Sequence, residues 1–276
     1  MNRGGALAVT TTGATGTATP SSGSGGTGVI LKAVNLVKVY RNGGEAYPAV
    51  RGVDLECREG DFTVIMGASG SGKSTLLGLL GGLEGPTSGE VLFRGRRLND
   101  MTPRELAKFR THRIGFVFQA FNLIPDLSML DNIAFPGYLA GRPRSEVRGR
   151  ALALMRRFGI EGLADRLPSQ VSGGQQQRAA IARALINGPD LLLADEPTGA
   201  LSRRQGEDVL DPLTELNRGG QSIVMVTHDL RAACRADRLV LVKDGAIAGM
   251  LDLPKYDGRD MAARDRRIYE FMRERE

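Results

Sequence analysis

The chain has 276 residues, of which 41% are hydrophobic and 25% charged, enough apolar side chains for the core of one large domain or two small ones. No apolar run reaches the ~18 residues that cross a bilayer, and the first residues lack the apolar segment of a signal peptide, so we expect a cytosolic protein. Cys57 and Cys234 are the only cysteines, and their spacing favours reduced packing residues over a disulfide or a metal site.

The net charge of +6 fits contact with nucleic acid or with an anionic membrane surface. Basic side chains concentrate in two segments. Residues 94–113 contain Arg94, Arg96, Arg97, Arg104, Lys108, Arg110 and Arg113, and residues 142–157 contain Arg142, Arg144, Arg148, Arg150, Arg156 and Arg157. Neither segment has the interleaved aromatic side chains of a single-strand binding surface, so we expect no nucleic-acid partner. Each segment is either a solvated face or a contact with a membrane or a membrane protein.

The chain begins with a segment of low complexity. Residues 1–28 are almost entirely Gly, Thr, Ala and Ser, a composition too poor in apolar side chains to pack a core, and we predict a disordered tail. Short β-branched runs follow at residues 29–34 and 50–57, with a loop predicted between them. Tyr40 lies in that predicted loop, where it is either a half-buried packing residue or an aromatic platform for a nucleotide base.

A glycine-rich segment at residues 67–75 fits the pattern G-x-x-x-x-G-K-[ST] and follows the β-branched run Phe62–Met66. Its residues are Gly67, Ala68, Ser69, Gly70, Ser71, Gly72, Lys73, Ser74 and Thr75. Such a turn between a strand and a helix presents backbone N–H groups to a polyphosphate, and the helix N-terminus attracts the anion further. We therefore predict a phosphate-binding loop in which Lys73 supplies a point charge and Ser74 binds Mg²⁺.

Turn, capping and periodicity signals organise the middle of the chain. A strand is predicted at 90–93, a capping box beginning at Thr102 opens a helix to about Phe109, and a buried strand at 114–118 ends at Gln119. Residues between about 120 and 170 have helical periodicity, with Ser145 predicted as a cap. The apolar positions of this stretch are Val147, Ala151, Leu154, Met155 and Phe158. The block predicts a helical subdomain inserted into an α/β core.

The remaining pattern completes that core. A helix is predicted over residues 176–186, and continuous apolar runs at 191–194 and Ser222–Val226 predict parallel strands buried on both faces. Edge strands are predicted over 239–251, with a turn at Asp244 and Gly245, and a charged helix follows from about Asp260. The predicted fold class is α/β, a phosphate-loop core of mostly parallel sheet with an antiparallel part, with one domain at 29–258 and a charged C-terminal helix at 259–276.

Polar residues follow four of the predicted strands. Ligands of open parallel sheets bind beyond the carboxyl ends of the strands, and these ends deliver the phosphate loop, Gln119, Asp195 with Glu196, and His228. We expect Asp195 to hold the Mg²⁺ that bridges the β- and γ-phosphate oxygens. Glu196 is expected to orient the attacking water or accept its proton, and His228 to donate to a γ-phosphate oxygen or to Glu196.

Together with the segment that begins at Val171, these residues resemble the ATP-binding subunit of an ABC transporter over about residues 29–250. The signature that separates this family from other phosphate-loop ATPases is Ser172, Gly173, Gly174 and Gln175. The resemblance implies a head-to-tail dimer, with a homodimer favoured, that holds two ATP molecules between one subunit's phosphate loop and the other's signature. It also implies that Tyr40 stacks on adenine and that Gln119 senses Mg²⁺ and couples it to a membrane subunit.

Segments around Tyr40, the phosphate loop, Gln119 and Glu196 resemble one branch of the family, the lipoprotein-releasing, macrolide-exporting, antimicrobial-peptide-detoxifying and cell-division ATPases. This implies an ATPase at the inner face of the membrane, bound to a permease for export, lipoprotein release or mechanotransmission. Phe121 and Leu123 are either contacts to that permease or core residues. Three alternatives are a nucleotide-gated scaffold that transports nothing, an importer ATPase, and a soluble ABC protein, which usually has two cassettes or a long coiled coil.

Two positions depart from the family pattern. Val171 replaces the usual Leu, a conservative apolar change. Ser202 replaces an Asp that in the family contacts the opposite subunit, and we therefore expect an active ATPase whose two ATP sites communicate weakly.

Overall fold

The computed structural model describes Met1 and residues 28–275, so the predicted tail at residues 1–28 lies outside the described residues except at its two ends. The strands are β1 (Val29–Asn42), β2 (Glu45–Arg58), β3 (Phe62–Met66), β4 (Ser88–Phe93), β5 (Arg96–Arg97), β6 (Ile114–Val117), β7 (Leu191–Asp195), β8 (Ser222–Val226), β9 (Arg238–Lys243) and β10 (Ala246–Asp252). The helices are α1 (Lys73–Leu80), α2 (Pro103–Arg113), α3 (Met129–Leu139), α4 (Arg144–Arg157), α5 (Gly173–Leu185), α6 (Arg203–Arg218), α7 (Leu230–Ala233) and α8 (Met261–Arg273).

The strands form two sheets. A six-stranded sheet has the order β10-β9-β3-β8-β7-β6, in which only the β10–β9 pair is antiparallel. The second sheet, β2-β1-β4-β5, is antiparallel throughout. The predicted fold class is therefore confirmed. The edge assignment over 239–251 is correct for β10 and wrong for β9, which pairs with β3 on its other side and is buried on both faces, as interior strands are.

A long hairpin replaces the loop predicted between residues 34 and 50. Strands β1 and β2 have 14 residues each and meet at Gly43 and Gly44, whose φ angles are +57° and +93°. Two adjacent residues with positive φ match the twist of a tight hairpin, which glycines adopt without strain. The loop prediction was wrong because polar side chains alternate along the exposed end of this hairpin. Tyr40 therefore lies in β1, directly opposite Tyr47 in β2.

The helical block contains α3, α4 and two short 3₁₀ turns at Glu161–Leu163 and Pro168–Gln170. Residues 120–128 are not helical, contrary to the prediction, and Ser145 lies inside the first turn of α4 rather than capping it. The helix begins two residues earlier than predicted because Pro143, with φ of −57°, supplies the N-cap position. Val147, Ala151 and Met155 are buried as their spacing predicts.

The main hydrophobic cluster joins the large sheet, the helical block and the C-terminal helix. Ile268 and Phe271 of α8 are buried in the same cluster as Phe62 and Met129. Sequence analysis assigned no element to α6, whose apolar stripe of Val209, Leu210, Leu213 and Leu216 is buried there as well. None of the described helices is long and apolar enough to span a bilayer.

Candidate functional site

A cleft of about 600 Å³ opens at the carboxyl ends of the parallel strands, between the large sheet and the β1–β2 hairpin. Its lining residues are Tyr40, Tyr47, Ala49, Gly67, Ser69, Gly70, Gly72, Lys73, Ser74, Thr75, Gln119, Glu196 and His228. The cleft thus brings together residues from four strand ends that are far apart in sequence. Ala68 and Ser71 complete the loop behind this lining.

The phosphate loop requires glycine where the backbone turns. Gly67 has φ of +156°, and a Cβ there would lie 2.1 Å from the carbonyl oxygen of Val242. Gly72 has φ of +95°, and its Cβ would lie 2.1 Å from the carbonyl oxygen of Ala49. The loop therefore packs backbone against backbone, which only glycine allows.

Lys73, the first residue of α1, holds its ammonium at the centre of the loop. Its Nζ donates to the carbonyl oxygens of Gly67 at 2.9 Å and Ala68 at 2.8 Å, and the residue is 7% exposed. An ammonium has three N–H donors, so one remains for an anion in the cleft. The buried hydroxyl of Ser71 has no hydrogen-bond partner among the described residues. Both features suit a polyphosphate.

Ser74 and Asp195 form the pair predicted to hold a metal. The Ser74 hydroxyl donates to Asp195 Oδ1 at 2.9 Å. Burial raises the pKa of the Asp195 carboxyl, the Ser74 hydrogen bond lowers it in part, and the charge of Glu196 raises it further. A hydroxyl and a carboxylate are hard oxygen donors that fit Mg²⁺, and a nearby cation would offset the cost of burying the charge. Among the described residues there is no cluster of three His, Cys, Asp or Glu suited to a metal.

Glu196 and His228 contact each other across the ends of β7 and β8. His228 Nδ1 lies 3.1 Å from Glu196 Oε1, and Thr227 donates to Glu196 Oε2 at 3.2 Å. The imidazole is 72% exposed, whereas the Glu196 side chain is 14% exposed. Glu196 has φ of +46°, a left-handed conformation that costs a non-glycine residue about 1 kcal/mol or more and that typically occurs at functional sites. The pair can accept a proton from a water in the cleft.

The loop that follows β6 carries Gln119 into the cleft. A Cβ on Gly199 would lie 3.0 Å from Gln119 Nε2, so the amide lies against the segment after Glu196. Arg183 of α5 donates to the carbonyl oxygens of Phe121, at 2.7 Å, and Asn122. Phe121 and Asn122 have positive φ angles, so the two hydrogen bonds hold a strained loop. Sequence analysis did not identify Arg183.

Two tyrosines form the wall of the cleft on the hairpin side. The Tyr40 hydroxyl donates to Glu84 Oε2 at 2.6 Å, and the Lys38 ammonium lies 5.1 Å from the ring centroid. Burial and the bond to Glu84 raise the pKa of the Tyr40 phenol, so the ring is neutral at physiological pH. The Tyr47 hydroxyl donates to the carbonyl oxygen of Gly70 at 3.3 Å. Sequence analysis missed Tyr47, although the two-glycine turn would have placed it opposite Tyr40.

Residues 172–175 do not line the cleft of their own chain. Ser172 caps α5, and its hydroxyl accepts from the backbone N–H of Gln175 while Gln175 Oε1 accepts from the N–H of Ser172 at 2.8 Å. A Cβ on Gly173 would lie 3.5 Å from both Leu201 and Phe121. The signature segment thus packs between the loops that follow Glu196 and Gln119. Val171 packs against the main cluster, as expected for a conservative apolar change.

The fold and the cleft define a phosphate-loop ATPase with an inserted helical block. The family model described as "ABC transporter" matches residues 50–199. The chain therefore belongs to the ABC transporter family, as one of its ATPase cassettes.

The relatives and solved structures agree with this assignment. The chain is 47% identical over 212 residues to a protein from Rhodopseudomonas palustris (strain BisB18) named macrolide export ATP-binding/permease protein MacB, covering 77% of this chain and 32% of that protein. The Escherichia coli protein of the same name is 47% identical over 218 residues, covering 79% and 34%. The chain thus spans about a third of the length of these relatives.

Among solved structures, the ATP-binding cassette MJ0796, a dimer in a post-hydrolysis state with ADP and Pi, matches with a TM-score of 0.77 and 43% identity. The match covers 82% of this chain and all of that one. CbiO1 from Clostridium perfringens, part of the transporter complex cbiONQ, matches with a TM-score of 0.73 and 30% identity, covering 82% and 89%.

Proposed function

We propose that this chain binds and hydrolyses ATP as part of a membrane exporter of the macrolide-export and lipoprotein-release branch. The observation that carries the proposal is the convergence of the phosphate loop, Ser74 with Asp195, and Glu196 with His228 in one cleft. This arrangement provides an anion site, a cation site and a proton acceptor within reach of each other.

Each group has a distinct role in the proposed reaction. The N–H groups of the phosphate loop and the remaining donor of Lys73 bind the β- and γ-phosphates. Glu196 orients the attacking water and accepts its proton, while the Nδ1–H of His228 donates to Glu196 and holds it in place. Gln119 contacts the same phosphate region, and Tyr40 stacks on the adenine ring. Mg²⁺, held by Ser74, Asp195 and Gln119, would neutralise charge between the β- and γ-phosphates.

The signature segment supports a head-to-tail dimer. Residues 172–175 lie at the N-terminus of α5, an anion-attracting helix end that does not line the cleft of its own chain. In a dimer each cleft would be closed by the partner's α5. ATP binding would close the two subunits, and loss of the γ-phosphate on hydrolysis would release them.

The helical block is the proposed docking face for the permease. Leu139 is 69% exposed and Phe135 39% exposed, and Leu139 lines a groove of about 310 Å³ with Phe118 and Pro136. Large exposed apolar side chains next to a groove are typical of protein interfaces. Phe121 and Leu123 are both partly buried, and Leu123 packs against the main cluster. The proposed contact therefore runs through α3 rather than through Leu123.

The basic segment of α4 adjoins this face. Arg142 pairs with Glu146 at 3.2 Å and Arg156 with Glu161 at 3.1 Å, and Arg144 lies 5.9 Å from the ring centroid of Tyr138. This positive surface suits an acidic permease segment or the anionic inner leaflet. We therefore place the protein at the inner face of the membrane, held there by its permease.

The direct test is Glu196→Gln, with Glu270→Gln on the exposed face of α8 as the control. Removing the proton acceptor should lower kcat by about 10²-fold or more and leave ATP binding intact. The control should hydrolyse ATP at the wild-type rate. Unchanged hydrolysis by Glu196→Gln would contradict the proposed role of Glu196.

The partner is tested with the same variant. Purified with Mg-ATP from gently solubilised native membranes, it should bring down a permease with few membrane helices and a large extracytoplasmic domain, identified by mass spectrometry. An importer permease with a solute-binding protein would overturn the branch assignment. Ribosomes or DNA without a membrane protein would overturn the transporter proposal.

A further inference from the structure

Three chain segments that are distant in sequence meet beside Glu196 and His228. They are the end of β7 with the residues that follow it, the loop between β8 and α7, and the first turn of α6. Asp229 lies where they meet. Its Oδ2 accepts from the Thr198 hydroxyl at 3.1 Å, and its Oδ1 caps α7 by accepting from the N–H of Arg231 at 2.9 Å.

The Arg231 guanidinium occupies the other side of Asp229. Its Nε donates to Asp229 Oδ1 at 2.9 Å and its Nη2 to Oδ2 at 2.7 Å, the paired geometry that makes arginine–carboxylate bonds both strong and directional. Its Nη1 donates to the backbone carbonyl of Arg203, the first residue of α6, at 2.7 Å. One side chain thus joins the His228 loop to α6.

A glycine provides the space for this contact. Gly206 lies in the first turn of α6, and a Cβ there would lie 3.0 Å from Arg231 Nη2 and 3.4 Å from its Cζ. Glycine is less favourable than alanine within a helix, and here its missing Cβ leaves room for the close approach of the guanidinium.

The contact continues to the catalytic pair. The Thr227 hydroxyl accepts from the N–H of Asp229 at 3.0 Å and donates to Glu196 Oε2 at 3.2 Å. His228 lies between Thr227 and Asp229 in sequence. Any displacement of Asp229 therefore moves the groups that hold Glu196 and His228. Arg231 itself does not line the cleft.

We propose that Arg231, seated on Gly206, is a positioning residue that fixes the Glu196–His228 pair and links its geometry to the first turn of α6. The role assigned to this pair rests on the proposed ATP hydrolysis. Ser202 immediately precedes α6, so the same link connects the catalytic pair to the loop that carries Ser202.

The test compares Gly206→Ala, Arg231→Met and Arg231→Lys with Asp208→Ala, an exposed position of the same helix. Gly206→Ala shifts the guanidinium by a few tenths of an ångström while favouring the helix, so thermal stability should hold while kcat falls about tenfold. The KM for ATP should stay within about twofold, because Arg231 does not contact the cleft. Arg231→Lys should recover part of the activity lost in Arg231→Met, and Asp208→Ala should match wild type.

A second readout does not depend on hydrolysis. The chain has two histidines, and His112 lies on α2 with its Nδ1 2.8 Å from the carbonyl oxygen of Lys108. In proton NMR spectra, Gly206→Ala and Arg231→Met should move the ring resonances of His228 and leave those of His112 unchanged. Unmoved His228 resonances, or wild-type kcat in Gly206→Ala, would overturn the positioning role. An inactive wild-type protein would refute the proposed function instead, and the resonances would still decide this inference.

Discussion

The N-termini of helices α1 and α5 both present backbone N–H groups that attract anions, but only the N-terminus of α5 is capped by side chains of its own chain. Helix α1 begins after Gly72, which is in a left-handed conformation and offers no side chain to cap the helix. Helix α5 begins at Ser172, whose capping box with Gln175 satisfies N–H groups from within the chain. The first N–H groups of any helix need partners, so an uncapped end is prepared for a ligand and a capped end is stable without one. The comparison suggests that α1 binds phosphate in each subunit and that α5 contributes only when a partner presents a nucleotide.

Gly72→Ala changes the N-cap of α1 and should have the largest effect of the variants considered. The new Cβ would meet the carbonyl oxygen of Ala49 at 2.1 Å with the backbone at φ of +95°. We expect a loss of about 3 kcal/mol or more of stability, together with loss of nucleotide binding. Thermal unfolding and titration with a fluorescent ATP analogue measure both effects. Gly149→Ala, at an open position within α4, is the control and should be at least as stable as wild type.

Asp195 ends β7 and accepts a hydrogen bond from Ser74 in the first turn of α1. Asp195→Asn should change folding stability and ligand binding in opposite directions. The pKa of the Asp195 carboxyl is higher in the folded protein than in the unfolded chain, so protonated Asp195 adds to the free energy of unfolding. This contribution is complete below the unfolded-state pKa and is lost as the pH rises through the folded-state pKa. The nucleotide-free variant should therefore unfold at a higher temperature than wild type at neutral pH, and the difference should vanish near pH 3. Mg-ATP should stabilise the variant less than wild type. Differential scanning calorimetry at several pH values checks this, with exposed Asp126→Asn as the control.

Ser172→Ala tests the α5 side and should have a smaller effect on folding. Loss of the cap should cost about 1 kcal/mol, because Gln175 loses the acceptor for its N–H. ATP binding to the monomer should be unchanged, since Ser172 does not line the cleft. Steady-state hydrolysis should fall, because the proposed ATP site includes Ser172 of the partner subunit. Loss of monomer binding in an equilibrium titration would show that α5 acts within its own chain.

Ser202→Asp should have the smallest effect of these variants. It changes the loop between β7 and α6 and tests how the two ATP sites of a dimer communicate. The backbone N–H and the hydroxyl of Ser202 both donate to Gln205 Oε1, at 3.1 and 2.9 Å, so this residue already serves α6 within its own chain. Aspartate at this position should restore contact with the opposite subunit and raise the Hill coefficient for ATP. An unchanged coefficient in a hydrolysis assay would show that weak coupling has another cause.

The site was more predictable from sequence than its supporting contacts. Strand ends before Gln119, Glu196 and His228 were identifiable because buried parallel strands are continuous apolar runs, and ligands lie at their carboxyl ends. Tyr47 was missed because polar residues near the hairpin tip obscured the alternation of β1 and β2. The contact between Arg231 and Gly206 was not predictable, since it joins α6 to the first turn of α7 across about 25 residues of sequence, beyond the i,i+4 spacing that local patterns reveal. Local sequence patterns therefore predict the site residues, whereas the contacts that support those residues depend on tertiary packing.

The central claim, that each site uses α1 of one chain and α5 of another, is tested most directly by mixing two inactive variants. Lys73→Ala removes the phosphate-loop charge, and Ser172→Arg obstructs the α5 end. Each variant alone should hydrolyse little ATP. If the sites are shared, half of the dimers in an equal mixture have one intact site, and activity should recover to about a quarter of wild type. A mixture that is no more active than the sum of its separate components would contradict the account.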